Sequence, residues 1–155
     1  NGPHDFLHFK EVIEVNLIGT FNVLRLCAEQ MSKNSLNNNK EKGVIINTAS
    51  IAAIEGQKGQ VAYAASKGGV AAMTLPIARD LARNHIRCCC IAPGLFITPM
   101  FQNLGEEICE NLAKDVVFPN RLGKPKEFAE FAHQIIHNTY LNGSVLRLDG
   151  GIRLA

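Results

Sequence analysis

The sequence predicts the C-terminal part of a doubly wound, Rossmann-type α/β domain, in which helices flank a parallel sheet of about three strands. Three short apolar runs, near residues 43–48, 86–92 and 144–148, have the character of strands buried inside a sheet. Longer segments with helical periodicity separate these runs, as parallel strands require. At 155 residues the chain is long enough for a domain core. We therefore expect one partial domain over residues 1–155.

The first element is an amphipathic helix over about residues 9–31, followed by a polar loop over residues 32–43 and then the first strand. Asn16 is unexpected within this helix, because its neighbours Val15, Leu17 and Ile18 are apolar. A polar amide in a packed helix needs a hydrogen-bond partner. Its plainest interpretation is a structural hydrogen bond.

Three further helices are expected along the chain. The first covers about residues 60–83 and contains Pro76, which should kink the helix or delete one backbone hydrogen bond. The second covers residues 98–118, and the third, a short one over residues 126–138, precedes the final strand. The apolar side chains at helical spacing in the second are Met100, Phe101, Leu104, Ile108 and Leu112. Apolar periodicity does not separate a mobile cover from a core helix, so both interpretations stay open.

The most specific chemical signal is Ser50, which stands thirteen residues before the Tyr-x-x-x-Lys pair of Tyr63 and Lys67. On a helix, four residues advance about 6 Å and rotate by about 400°, so the phenol and the ammonium share one face. A neighbouring cation favours the phenolate, which suits proton exchange with an alcohol near neutral pH. Ser50 follows the first strand, at the sheet edge where catalytic groups of open α/β folds gather. We expect Tyr63 to be an acid/base and Ser50 to donate to a substrate carbonyl oxygen.

Four motifs in order carry a family resemblance: VNLIGTFNV, NTAS after a strand, YAASKGG at the opening of a helix and IAPG at the end of the next strand. From about residue 6 onward the chain resembles a short-chain dehydrogenase/reductase. The resemblance implies that Tyr63 is the acid/base and that Lys67 is its ribose-binding partner. It also implies that Ser50 orients the substrate and that Asn16 holds a relay water.

The turn of Pro93 and Gly94 closes the second strand, and glycine there permits close backbone approach to a ligand. An ordinary strand-ending turn is the alternative interpretation. The resemblance implies that a nicotinamide ring rests here and that residues 99–120 form a substrate lid. The cofactor-binding residues implied for NAD are Tyr63, Lys67, Pro93, Gly94, Phe96 and Thr98. The substrate-binding residues implied are Ser50, Gln57 and Tyr63.

The sequence contains no Gly-x-x-x-Gly-x-Gly turn, although a dinucleotide enzyme needs a glycine-rich turn after its first strand. Relative to the family, we expect the N-terminal strands and this phosphate turn to lie outside the chain. The first strand near residues 43–48 should then have an exposed edge, which favours aggregation. We expect the 155-residue chain alone to be at best marginally folded and to bind dinucleotide poorly.

Composition agrees with an enzyme that has no membrane span and no nucleic-acid footprint. The chain is 46% hydrophobic and 19% charged, with a formal net charge of +2. No apolar run approaches the roughly 18 residues of a membrane span, and no basic cluster is present. The resemblance implies a mitochondrial homotetramer, and one family member also belongs to a mitochondrial tRNA-processing complex. No targeting segment is visible.

The cysteines and histidines give no metal pattern. Cys88, Cys89 and Cys90 alternate between the two faces of a strand and are expected to be small core residues. Reduced thiols fit an intracellular compartment. His133 and His137 are four residues apart on a helix, but no further ligand pattern accompanies them, so we expect no metal site.

Three hypotheses of function remain open. The leading one is an NAD-dependent oxidoreductase that interconverts a secondary alcohol and a ketone, either a 3-hydroxyacyl-CoA or a hydroxysteroid. The second is a non-catalytic fragment or assembly partner, because the resemblance implies that the helices around Asn16 and Tyr63 build a tetramer interface. The third is a Tyr-x-x-x-Lys epimerase or dehydratase, against which the compact spacing and the LDGGIR ending argue.

Overall fold

The structure, a computed structural model, describes residues 2–99 and 106–154. The first helical run comprises α1 (Phe6–Ile13), one π-helical turn (Glu14–Ile18) and α2 (Gly19–Ser32). It begins earlier than the periodicity predicts because the Asp5 carboxylate caps α1, accepting from the Leu7 amide at 2.9 Å. The π turn contains Asn16, and such single turns often occur at functional sites.

The three predicted strands form one parallel sheet, β1 (Gly43–Thr48), β2 (Ile86–Pro93) and β3 (Val145–Leu148). Their spatial order is β1-β2-β3, so β2 is the central strand. Within the described residues, β1 pairs only with β2, which leaves its other edge open as expected. The predicted fold class, a parallel sheet with flanking helices, is confirmed.

The core lies on both faces of the central strand. Cys88 and Cys90 contribute to clusters beneath the helices on one face, and Cys89 packs with Ile91 and Ile135 on the other. All three cysteines are fully buried, which confirms their prediction as alternating core residues.

The predicted helix over residues 60–83 is divided into α3 (Val61–Ala72) and α4 (Thr74–Leu81). The division falls at Met73, three residues before Pro76. Proline has no amide hydrogen to donate to the preceding turn, which gives the interruption a physical cause. A short 3-10 turn then leads to His85, whose backbone is left-handed with φ of 59°.

The predicted helix over residues 98–118 is only partly correct. Helix α5 (Glu106–Ala113) is present, whereas the chain turns after residue 113. Val116 leaves the helix to pack in a buried cluster with Ile51 and Ile152, and the Phe118 amide donates to the Gly150 carbonyl at 3.0 Å. Met100, Phe101 and Leu104 lie outside the described residues.

Helix α6 (Pro125–His137) agrees with its prediction to within one residue at each end. It covers the face of the sheet opposite α2 and α4. In the part of the chain that the structure describes, we find no helix that combines the length and apolarity needed to cross a bilayer.

Candidate active site

Ser50 lies where β1 ends and a single 3-10 turn begins. We define the Ser50 turn as residues 50–55, in which Ile51–Ala53 is the 3-10 helix. The Ser50 hydroxyl oxygen accepts from the Ala52 amide at 3.1 Å, which fixes the side chain as the N-cap of the turn. Ser50 is 9% exposed, so its hydroxyl is held in a defined position with little access to bulk water.

Tyr63 and Lys67 lie one helical turn apart on α3, as predicted. The Lys67 ammonium is 5.9 Å from the centroid of the Tyr63 ring, and it donates to the Thr48 carbonyl at 3.0 Å. Partial burial lowers the pKa of Lys67 because it disfavours the charged form. The ammonium thus joins the end of β1 to the tyrosine, and its position is set by both elements.

Close packing brings the Ser50 turn against α3. A β-carbon at Gly56 would approach the Ala64 β-carbon to 2.7 Å, so only glycine fits between the turn and the helix here. One helical turn further, a β-carbon at Gly68 would be 3.6 Å from the Ala53 carbonyl oxygen. Small residues on both sides therefore place Ser50 and Tyr63 on adjacent elements at the carboxyl end of β1.

Asn16 is connected to the tyrosine helix through Ser66. The Asn16 amide nitrogen donates to the Ser66 hydroxyl at 3.1 Å, and that hydroxyl donates to the Tyr63 carbonyl at 2.8 Å. The Thr20 hydroxyl donates to the Asn16 carbonyl at 2.7 Å. The structural hydrogen bond expected from the sequence is present, and it ties the π turn to the backbone of Tyr63.

Sequence reasoning missed Ser66 and Thr20. Ser66 is fully buried, and its only sequence signal is its place between Tyr63 and Lys67, where a small polar side chain stands on a helix. Thr20 stands four residues after Asn16, the spacing at which a threonine hydroxyl reaches back to a helical carbonyl.

The loop after β2 lines an apolar cavity of about 320 Å³. Its walls are Pro93, Gly94, Phe96, Thr98, Pro125 and Phe128. The Phe96 and Phe128 rings meet edge to face, with centroids 6.1 Å apart. The four predicted loop residues therefore line one cavity, and its apolar walls suit a flat ring such as nicotinamide.

Gln57 is not held in the way the other candidates are. It lies exposed between the Ser50 turn and α3, where its backbone amide donates to the Gln60 side-chain oxygen at 3.0 Å. Its proposed contact with a substrate stays a prediction, and so does the lid over residues 99–120.

The two helical histidines contact each other. The rings of His133 and His137 are 4.0 Å apart between centroids, and His137 Nδ1 lies 2.9 Å from the His133 carbonyl oxygen. Among the described residues, no three histidine, cysteine or acidic side chains are grouped as a metal site would require.

The family model of short chain dehydrogenases matches residues 4–109. Over 151 residues the chain is 56% identical to human 3-hydroxyacyl-CoA dehydrogenase type-2, with 97% of this chain and 58% of that protein covered. It is 38% identical to 3-oxoacyl-[acyl-carrier-protein] reductase FabG of Thermotoga maritima, with 91% of this chain and 55% of that protein covered. The chain thus spans somewhat more than half the length of these curated relatives.

A solved structure gives the same likeness in three dimensions. The crystal structure of 3-hydroxyacyl-CoA dehydrogenase type-2 from Mycobacterium avium superposes with a TM-score of 0.96 at 45% identity, covering 99% of this chain and 60% of that one. The segments GVIINTASIAAIEGQ, IRCCCIAPGLFITP and LNGSVLRLDGGIR resemble proteins of this name. The resemblance drawn from the sequence is confirmed.

Proposed function

This chain belongs to the short-chain dehydrogenase family, and we propose on that basis that the protein is an NAD-dependent oxidoreductase that interconverts a secondary alcohol and a ketone. The observation that carries the proposal is the position of Lys67, whose ammonium is fixed between the Thr48 carbonyl and the Tyr63 ring. The half-buried ammonium lies next to the phenol on the same face of α3. Tyr63 is then the group that takes a proton from the alcohol or returns it to the ketone.

Ser50 orients the reacting oxygen. Its hydroxyl oxygen is occupied as an acceptor by the Ala52 amide, so its hydrogen is available to donate to a substrate carbonyl or developing alkoxide. Tyr63 is 38% exposed, and its phenol is therefore accessible to a ligand that covers the site. The two hydroxyls have complementary tasks, since one stabilises charge on the oxygen and the other transfers the proton.

Asn16 belongs to the proton path in this proposal. Its side chain is bound to Ser66, and its carbonyl, which accepts from Thr20, lies in the π turn that faces the Tyr63 helix. A water held there would link Lys67 to solvent and restore the proton after each turnover. The π turn supports this role because such single turns are frequent at functional sites.

NAD would supply the hydride acceptor for alcohol oxidation and, when reduced, the hydride donor for ketone reduction. In this chain, Tyr63 and Lys67 would hold the ribose, and the cavity lined by Pro93, Gly94, Phe96 and Thr98 would hold the nicotinamide. The apolar walls of that cavity support the fit.

The substrate we favour is a 3-hydroxyacyl-CoA, with a hydroxysteroid as the second class. The names of the relatives at 52–56% identity, 3-hydroxyacyl-CoA dehydrogenase type-2, support the thioester. Gln57 and the proposed lid would contact it. A mitochondrial location, a homotetramer and tRNA-processing partners are carried over with the family resemblance and stay predictions.

An assembly role without catalysis is the alternative that a specific observation favours. Large apolar side chains are exposed along the first helical run, at Val15, Ile18, Phe21, Val23 and Leu26. Such a surface is typical of a protein interface. The epimerase or dehydratase alternative predicts tightly held NAD and no net redox turnover.

The experiment that tests the proposal uses the longest natural polypeptide that contains these residues. NADH formation is followed by absorbance with a 3-hydroxyacyl-CoA and, separately, with a hydroxysteroid. We expect Tyr63→Phe to abolish nearly all turnover and to leave NAD binding largely intact, because only the transferable proton is lost. Lys67→Ala should weaken both turnover and NAD binding.

The matched control is Tyr140→Phe, because Tyr140 is the other tyrosine of the sequence and is 97% exposed. It should retain full turnover. Near-normal turnover by Tyr63→Phe would contradict the mechanism. Tight NAD binding without net redox turnover in the unmodified protein would favour the epimerase or dehydratase, and assembly without either would favour the interaction protein.

A further inference from the structure

We propose that Arg147 is a positioning residue that holds the Ser50 turn in its reactive place through Glu55. The proposal rests on the proposed function, since it assigns Ser50 a contact with the substrate oxygen. Arg147 lies on β3, and Glu55 closes the Ser50 turn 92 residues away in the sequence.

The contact between the two side chains is a paired ion pair. Arg147 Nη1 donates to Glu55 Oε1 at 2.7 Å, and Nη2 donates to Oε2 at 3.2 Å. Such forked guanidinium–carboxylate contacts fix direction as well as distance. Arg147 and Glu55 are 25% and 19% exposed, which makes this pair much less solvated than the surface pair of Lys126 and Glu130, at 84% and 64%.

The Ser50 turn is short enough to transmit the restraint from Glu55 to Ser50. The Glu55 amide donates to the Ile51 carbonyl at 2.9 Å, and the Ala53 amide donates to the Ser50 carbonyl at 3.0 Å. Together with the cap from Ser50 to Ala52, these bonds make the turn one unit. A shift of the Glu55 carboxylate therefore moves the residue that carries the candidate substrate-binding hydroxyl.

We call Arg147 with its partners Glu55 and Asp149 the clamp, and residues 93–98 the cofactor loop. The Asp149 side of the clamp packs on the cofactor loop. Arg147 Nε donates to Asp149 Oδ2 at 2.6 Å, and Asp149 is only 10% exposed. A β-carbon at Gly94 would come within 2.8 Å of the Asp149 β-carbon, so the loop packs directly on this residue. One guanidinium thus connects the Ser50 turn with the backbone that lines the candidate nicotinamide cavity.

The charges of the cluster depend on Arg147. Its hydrogen bond is the first cause that holds the pKa of Glu55 below its ordinary value. Arg153, the second cation, is 64% exposed and lies 3.6 Å from Glu55 and 3.5 Å from Asp149. Without Arg147, these two partly buried carboxylates would keep only the exposed Arg153 as a counter-ion.

The test measures turnover in the longest natural polypeptide that contains these residues. We expect Arg147→Met to lower turnover by about 10- to 100-fold, the effect of displacing a positioned group by about 1 Å. Glu55→Gln keeps the shape of the carboxylate and should lower turnover in the same direction. Arg147→Lys should retain more turnover than Arg147→Met. The control Arg153→Met should change turnover little, because Arg153 is mostly solvated.

A double-substitution cycle with Ser50→Ala separates positioning from general stability. If Arg147 acts through Ser50, adding Arg147→Met to Ser50→Ala should cost little further turnover. An undiminished loss in the Ser50→Ala background would overturn the proposal, as would full turnover in Arg147→Met or Glu55→Gln. If Arg147→Met does not fold, the same cycle is measured with Glu55→Gln in its place.

A readout independent of turnover keeps this proposal distinct from the proposed function. Amide hydrogen exchange in residues 52–55 should accelerate in Arg147→Met and stay unchanged in Arg153→Met. Absence of NADH formation by the unmodified protein, together with this acceleration, would reject the proposed function and retain the clamp. Unchanged exchange in Arg147→Met would reject the clamp itself.

Discussion

Two arginines on neighbouring strands collect oxygen acceptors at opposite ends of the sheet. Arg87 lies at the amino end of β2, with its side chain 7% exposed, and pairs with Glu41. It also donates to the carbonyls of Ile135 at 2.9 Å, Ile136 at 3.0 Å and Leu141 at 2.7 Å. Arg147 lies nearer the carboxyl end, where it holds a turn and a loop.

Arg87 and Arg147 differ in the parts of the structure to which their acceptor groups belong. The partners of Arg87 are the last carbonyls of α6 and the segment that follows it, which need donors because a helix end has none of its own. Arg147 also reaches one backbone carbonyl, that of Ile152 at 3.1 Å, but its side-chain partners are the carboxylates of Glu55, in the Ser50 turn, and of Asp149, which faces Gly94. Similar chemistry thus serves folding at one end of the sheet and, in our proposal, positioning at the other.

The largest expected effect is loss of stability in Arg87→Met. Removing one partner of a buried pair leaves Glu41 uncompensated and three carbonyls without donors. We expect the free energy of unfolding to fall by about 3–5 kcal/mol. Urea unfolding of the longest natural polypeptide measures it, and a loss below about 1 kcal/mol, the range of solvated pairs, would remove the contrast between the two arginines.

A smaller effect is expected from Gly94→Ala. The new methyl would press on Asp149, whose β-carbon and α-carbon would be 2.8 and 2.9 Å away. Overpacking of this kind costs about 1–3 kcal/mol, and NAD affinity should fall with it because the cofactor loop must move. Gly68→Ala is the stability control, since its methyl would meet nothing closer than the Ala53 oxygen at 3.6 Å. Normal NAD affinity in Gly94→Ala would argue against this loop as a cofactor site.

Acid should release the clamp at the carboxyl end. The pKa of Glu55 is lowered below its ordinary 4.5, first by the hydrogen bond from Arg147. The stabilisation that the Glu55–Arg147 pair gives the folded protein is therefore fully present above pH 4.5. It is lost as the pH falls through the lower pKa that Glu55 has in the folded protein. An NMR titration of the Glu55 carboxyl should give a midpoint below 4.5 that rises in Arg147→Met, where the Leu154 amide and Arg153 remain as the groups that lower the pKa. A normal midpoint in the unmodified protein would contradict the pairing.

The smallest effect is expected for the surface pair of Lys126 and Glu130, which are 84% and 64% exposed. Lys126→Ala should change the free energy of unfolding by less than about 0.5 kcal/mol. Urea unfolding measured beside Arg87→Met gives this reference value. A loss as large as that of Arg87→Met would show that burial does not explain the difference.

The sequence predicts those parts of the fold that depend on local pattern. The three strands, α6 and the Tyr63–Lys67 pair follow from apolar runs and helical spacing within a few residues. The end of α5 does not follow from local pattern. Val116 leaves the helix to pack against Ile51 and Ile152, which are distant in the chain.

The clamp could not be predicted for the same reason. Arg147 and Glu55 are 92 residues apart, and neither stands in a motif with a chemical signature. Asn16 is intermediate, because its need for a partner is visible in the sequence whereas the partner, Ser66, is found only in the fold.

The most direct test of the proposed site is a crystal structure of the longest natural polypeptide with NAD and a substrate ketone or its analogue. We expect the ketone oxygen to lie about 2.6–3.2 Å from both the Ser50 and the Tyr63 hydroxyl oxygens, with Lys67 directed to the ribose. A ketone oxygen beyond reach of Tyr63, with the nicotinamide outside the cavity of Gly94 and Phe96, would contradict the site.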